Sequence, residues 1–149
     1  NGTINVDGSN ATNERGGAGS GGTIYLRGQS FAGAATGLLS AKGGDAKDSD
    51  NPTYTCKSGA GGGGRIAVWT GSEWNGKVNS RRLSKSTEPA DVDPSIAYLG
   101  RVDVSGGASE KAVSQGTDGT LKDVTCAGSD GTVWFCHFAE PGGLMLLFR

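Results

Sequence analysis

Apolar and polar residues alternate along this chain in short runs bounded by glycine, and the same run returns. Gly2-Thr3-Ile4-Asn5-Val6-Asp7-Gly8, Gly37-Leu38-Leu39-Ser40-Ala41-Lys42-Gly43 and Gly100-Arg101-Val102-Asp103-Val104-Ser105-Gly106 each enclose five residues between glycines. Alternation at period two is the mark of a half-buried strand. A second run also repeats. Gly17 to Leu26 and Gly59 to Trp69 pass through glycine-rich stretches into Thr-Ile-Tyr-Leu and Arg-Ile-Ala-Val-Trp, and Gly116 to Leu121 is a weaker echo. In all three, a Gly-x-x-Gly pair (Gly19 and Gly22, Gly61 and Gly64, Gly116 and Gly119) precedes one polar residue and then Ile24, Ile66 or Leu121.

The repeating unit therefore reads strand, variable loop, glycine loop, strand, and three copies fit: Gly2 to Arg27, Gly37 to Thr70 and Gly100 to Asp123. Alternation predicts that Ile4, Val6, Ile24, Leu26, Leu39, Ala41, Ile66, Val68, Val102 and Val104 point inward, with Asn5, Tyr25, Ser40, Ala67 and Asp103 outward. Repeats of this length bury their apolar faces by stacking on one another. The best helical stretch, Phe31 to Ala41, is interrupted by Gly33 and Gly37. The expectation is a single all-β domain over 1–149, a parallel β-helix (β-solenoid) with glycine-rich corners. Two insertions, Asp45 to Lys57 and the spacer Thr70 to Leu99, interrupt it. The last strands are expected within 130–149, one of them entered through a turn at Asp130-Gly131.

Composition sharpens this picture. The 149 residues include 28 Gly but only 4 Pro, and no strict Gly-x-y triplet runs, which excludes collagen. The glycines punctuate apolar runs, and a net charge of −1 gives no self-repulsion, which argues against disorder. The same charge argues against a general nucleic-acid or anionic-membrane binder. The longest apolar run, Leu144 to Phe148, is far too short to span a membrane. The chain opens on Asn1 with neither initiator Met nor signal segment, as a processed chain or a fragment would.

The first two glycine runs satisfy Gly-x-Gly-x-x-Gly, the pattern of dinucleotide-binding loops. A phosphate loop must open a helix, and here strands follow, so the glycines are read as serving backbone geometry and close approach.

The pairing of Gly-x-Ile-x-Val-x-Gly segments with Gly-Gly-x-Gly-Gly-x-Ile and Gly-Gly-Gly-Gly-Arg-Ile-Ala-Val runs resembles the glycine-rich repeats of large secreted surface proteins. These are adhesin-like or autotransporter-like and form right-handed parallel β-helices. The resemblance covers residues 1 to 69 and, more weakly, 100 to 123. It implies an extracellular or cell-surface location and a structural or adhesive role, and it carries over no catalytic residue.

Candidate chemistry is sparse. Cys56, Cys126 and Cys136 lack zinc-site spacing. A hairpin at Asp130-Gly131 would pair Cys126 with Cys136, and the competing pair is Cys56 with Cys136. The lone His137 stands beside Cys136, and strand neighbours face opposite ways, which forbids a thiolate-imidazolium pair between those two. Asp45, Asp48 and Asp50 form an oxygen-rich loop of the kind that holds Ca²⁺, without the remaining ligands of an EF-hand. Glu88, Asp91 and Asp93 form another such loop. Asn1-Gly2-Thr3 and Asn10-Ala11-Thr12 fit the N-glycosylation pattern, relevant if the protein is secreted by a eukaryote.

Tyr25, Trp69, Trp74 and Trp134 offer aromatic faces of the kind that bind sugars. The basic cluster Lys77, Arg81, Arg82 and Lys85 would suit an anionic glycan. Acidic loops beside Arg65, Arg81 or Arg82 also raise a polysaccharide lyase, in which Ca²⁺ neutralises a uronate and a basic side chain removes the α-proton. The expectation is a non-enzymatic structural or adhesive element, with a carbohydrate-binding module and a lyase as alternatives. Exposed solenoid ends and the apolar tail Leu144, Met145, Leu146, Leu147 and Phe148 predict assembly, into a homo-oligomer, a filament or a longer solenoid.

Overall fold

A computed structural model describes residues 2–13, 16–47, 58–71, 78–83, 97–109, 111–115 and 121–138; within 78–83, at 97, and within 111–115 and 121–125 it describes the backbone alone. The protein is all-β, and there is no helix among the described residues. The strands in chain order are β1 (Thr3–Asn5), β2 (Thr23–Gly28), β3 (Ala32–Gly33), β4 (Leu38–Ser40), β5 (Arg65–Gly71) and β6 (Val78–Leu83). There follow β7 (Ala97–Tyr98), β8 (Arg101–Asp103), β9 (Lys111–Gln115), β10 (Leu121–Thr125) and β11 (Thr132–Phe138).

The repeated segments lie side by side in parallel. One sheet has the order β1-β4-β8 and sets Ile4 beside Leu39 and Leu39 beside Val102. The other has the order β2-β5-β11-β6 and sets Ile24 beside Ile66 and Ile66 beside Val133. The chain thus makes three passes, and like residues stack in columns. A one-residue slip would turn every apolar side chain outward, so the alternation fixes this register.

Ile24, Leu39, Ala41, Ile66, Val68, Val102, Val104, Val133 and Phe135 form one buried cluster with Tyr98. Tyr98 packs on Phe31 and Phe135 at ring separations of 5.0 and 6.3 Å. Two alternation-based expectations fail for positional reasons. Ile4 is 40 % exposed because, among the described strands, β1 stands at the edge of its sheet. Ser40 is buried on the central strand, where its hydroxyl donates to the Asp7 carboxylate.

Between the sheets the glycine runs form a second kind of layering. Segments 6–11, 41–46 and 104–108 make one layer, and 17–22, 59–64 and 126–131 the other. Within the second layer, Ala18 and Gly21 donate backbone hydrogen bonds to Gly59 and Gly62, while Ala60 and Gly63 donate to Cys126 and Ser129. Between layers, Gly19 and Gly22 donate to Ser9 and Val6, while Gly61 and Gly64 donate to Gly44 and Ala41. Donors aimed at one neighbour recur every third residue, the period of an extended threefold helix and not of a pleated strand. One file of bonds crosses the whole bundle: Gly128 to Gly107, Gly107 to Gly61, Gly61 to Gly44, Gly44 to Gly19 and Gly19 to Ser9, all 2.8–3.0 Å.

Within each layer, neighbouring passes come into backbone contact. A Cβ on Gly61 would collide with the Gly19 carbonyl, and one on Gly107 with that of Gly44. Close approach therefore explains these glycines. Positive φ occurs at Gly71 (84°), where β5 ends.

Three sequence expectations are corrected. Of the expected third glycine loop, Gly116 to Thr120 lie outside the described residues and Leu121 begins β10, which pairs antiparallel with β9. Gly128 and Gly131, followed by Thr132 and Val133, take the place instead, so Val133 is the equivalent of Ile24 and Ile66. The spacer Thr70 to Leu99 is more than an insertion, because it supplies β6, antiparallel along β11, and β7, parallel to β3. Asp130-Gly131 does not turn the chain. Residues 126–138 run on beside 60–71, so Cys126 and Cys136 lie ten extended residues apart, roughly 30 Å and far beyond disulfide reach. Both are free thiols.

Candidate functional site

The outward face of the β2-β5-β11 sheet gathers most of the aromatic candidates. Alternation aims Tyr25, Arg27, Arg65, Ala67, Trp69, Trp134 and Phe138 away from the core, because Ile24, Ile66, Val68, Val133 and Phe135 occupy the inward positions. The rings of Tyr25 and Trp69 lie 6.4 Å apart and those of Trp69 and Phe138 5.5 Å apart. An aromatic band so crosses three strands. Tyr25 is 57 % exposed and Trp134 40 %. The rings are tilted by 54° and 35° to one another, so the band is stepped and not a flat platform. Trp74 lies outside the described residues.

Phe138 has no Trp, Tyr or Phe beside it in the sequence that would mark it as part of such a face. It belongs to the band because β11 stacks in parallel on β5, which no local pattern announces.

Comparison with family models, with curated proteins and with solved structures gives no match. The site must therefore be read from its own geometry.

Cys136 is buried on β11, and that burial pushes its thiol above the ordinary range, opposite to what a nucleophile needs. His137 is occupied differently: its Nδ1 lies 2.8 Å from the hydroxyl of the buried Thr70, its register neighbour on β5. Cys56 lies outside the described residues.

Of the acidic loop, Asp45 is described and Asp48 and Asp50 are not. The Asp45 carboxylate accepts the Ala108 N–H at 2.8 Å and lies 3.4 Å from the Lys42 ammonium. The Ala108 bond, aided by Lys42, holds its carboxyl below the usual value of 3.8 against an opposing effect of burial. This carboxylate ties the second pass to the third, and among the described residues no group of three or more His, Cys, Asp or Glu could hold a metal ion. At the mouth of the insertion, the buried Ser58 hydroxyl accepts the Lys47 N–H and donates to the Lys47 carbonyl, clamping the loop shut at its base.

Asn10 has a related role, its side-chain oxygen accepting the Asp45 N–H at 2.8 Å. Asn1 lies outside the described residues, as do Lys77, Lys85, Glu88, Asp91, Asp93 and the tail Leu144 to Phe148. Arg65 is exposed in the outward row with Thr23 and Thr132, while Arg81 and Arg82 are described by backbone only. No helix of the structure is long and apolar enough to cross a membrane, among the residues described.

Proposed function

We propose that this chain is a glycine-rich parallel β-solenoid that acts as a structural or adhesive element of a cell surface or extracellular appendage. The observation that supports this best is the three-pass register, continued by the two-layer glycine bundle. Side chains that could do chemistry are drawn into holding passes together: Asp7, Asn10, Asp45 and Asp130 each accept a backbone N–H of a neighbouring pass or segment. The resemblance of the repeats to those of secreted surface proteins points the same way. Immunogold labelling of intact source cells tests the reading. Label on the outer surface is the expected result, and label confined to the cell interior would sink it.

The aromatic band favours a second reading, a carbohydrate-binding surface. Neighbouring Tyr, Trp and Phe rings give a sugar's apolar face contact area at little entropic cost. Retention of a glycan on an array, lost in Trp69→Ala and kept in Ile4→Lys, would support it. Ultraviolet absorbance rising on incubation with uronate polymers, and abolished by chelator, would instead mark a lyase.

A further inference from the structure

The two ends of the stacked passes are not alike. At the third-pass end the antiparallel strand β6 lies along β11. One donor of the bundle is also taken there, since the Gly106 N–H, equivalent to those of Gly8 and Gly43, donates to the Asp130 carboxylate at 3.1 Å. At the first-pass end β1 and β2 are, among the described strands, both at the edges of their sheets. Ile4 closes its column 40 % exposed. Beside it opens a largely apolar cleft of about 200 Å³, lined by Ile4, Phe31, Gly33, Leu39 and Tyr98 among others.

Backbone polarity distinguishes the ends as well. Within each bundle layer the bonds run one way, from a donor in the earlier pass to a carbonyl in the later one: Gly8 to Lys42, Ala11 to Asp45, Gly43 to Ser105, Ala46 to Ala108. Asp7 and Asn10 are the register equivalents of Lys42 and Asp45. Their carbonyls accept no hydrogen bond among the described residues and stand where a preceding pass would donate.

We propose that this first-pass end is a docking edge for one further glycine-rich extended segment. The segment runs parallel to β1 and β2, with an apolar residue over Ile4 and glycine over Gly8. This rests on the solenoid reading and adds to it the kind of partner. The occupant is fixed by continuity: the first pass docks on the second, and the second on the third, by the same register, the same bond polarity and the same glycine contacts. A native second copy is a poor fit. Among the described strands, its third-pass end carries β6 on one sheet and none beyond β8 on the other. Stacked on β1 and β2, it would be out of step by one strand spacing, about 4.8 Å. Parallel strand addition to an open edge draws its affinity from main-chain bonds and its specificity from the alternate side chains.

The test is a fluorescently labelled synthetic peptide of residues 2–28, one whole pass, titrated with the full chain and followed by anisotropy. Saturable binding is expected, at least tenfold weaker to an Ile4→Lys chain and to a peptide carrying Gly8→Val and Gly21→Val. Ile4 is an exposed edge residue, and circular dichroism of that variant should match wild type. Absence of binding to the wild-type chain, or equal binding to the variants, overturns the proposal. So does sedimentation showing that the chain associates with itself and that Ile4→Lys dissolves the complex, since the occupant would then be a second copy. None of these results moves the surface-labelling outcome, so failure here and failure of the structural role are distinguishable.

Discussion

At the scale of single residues, the glycines divide into two classes that substitution can separate. Gly61 has the Gly19 carbonyl where a Cβ would go, whereas Gly59 has nothing within 4 Å. Gly61→Ala is expected to destabilise by about 3 kcal/mol or more, through forced separation of the first and second passes. Gly59→Ala should stay within about 1 kcal/mol of wild type, on the stabilising side because the unfolded chain loses freedom. Urea melts of the two variants check this. Ile66, 1 % exposed at the centre of its column, should cost about 2–4 kcal/mol when cut to Ala. Asp45 gives the pH response. Its folded-state carboxyl lies below the ordinary 3.8, so its contribution is present above that value and is lost as pH falls through the folded-state one. The urea midpoint should therefore drop as pH is lowered through and below the ordinary carboxylate value, and drop less in Asp45→Asn, which has no proton to gain.

Elements show why a glycine pair is an ambiguous signal. Asp130-Gly131 has the composition of a tight hairpin turn, yet it continues an extended segment because Gly63 and Gly64 offer it a parallel neighbour: Gly63 donates to Ser129, and Gly64 accepts from Thr132. The consequence for Cys126 and Cys136 is direct. Non-reducing peptide mapping should yield no link between them. Cys136, buried and with a raised thiol pKa, should resist a thiol reagent in the native protein and react fully once urea is added, while the half-buried Cys126 reacts first. A 126–136 link would require the chain to fold back at Gly131 and would break the β5-β11 ladder.

For the whole molecule, the distinctive prediction concerns amides outside any strand. Gly19, Gly44, Gly61 and Gly107 belong to no regular strand, yet their N–H groups form the file of bonds through the bundle. Their hydrogen exchange should be as slow as that of Ile66 and Val68 in β5, because opening one requires parting both layers. Fast exchange at these four positions, with slow exchange in β5, would show that the layers are not joined as described.

The alternation of apolar residues between glycines determined by itself that the chain is all-β, that Ile24, Leu39, Ala41, Ile66 and Val68 face the core, and that Ile4, Leu39 and Val102 are equivalent. Those features are local: period two in the sequence becomes period two in space, and a half-buried strand tolerates no slip. Tertiary structure decided the rest. Gly128 and Gly131 carry the same Gly-x-x-Gly signal as Gly116 and Gly119, and only the bonds of Gly128 to Gly107 and of Gly131 to Val104 mark the former pair as a glycine loop of the bundle. Ser40 reads as outward and is buried because its strand is central; Ile4 reads as inward and is exposed because its strand is at the edge. β6 lies against β11 although β5 precedes it, and the aromatic band runs from Tyr25 to Phe138 across more than a hundred residues of chain. Partners so distant in sequence leave no periodic trace, since pairing between passes is set by which edges remain free once the nearer ones are filled.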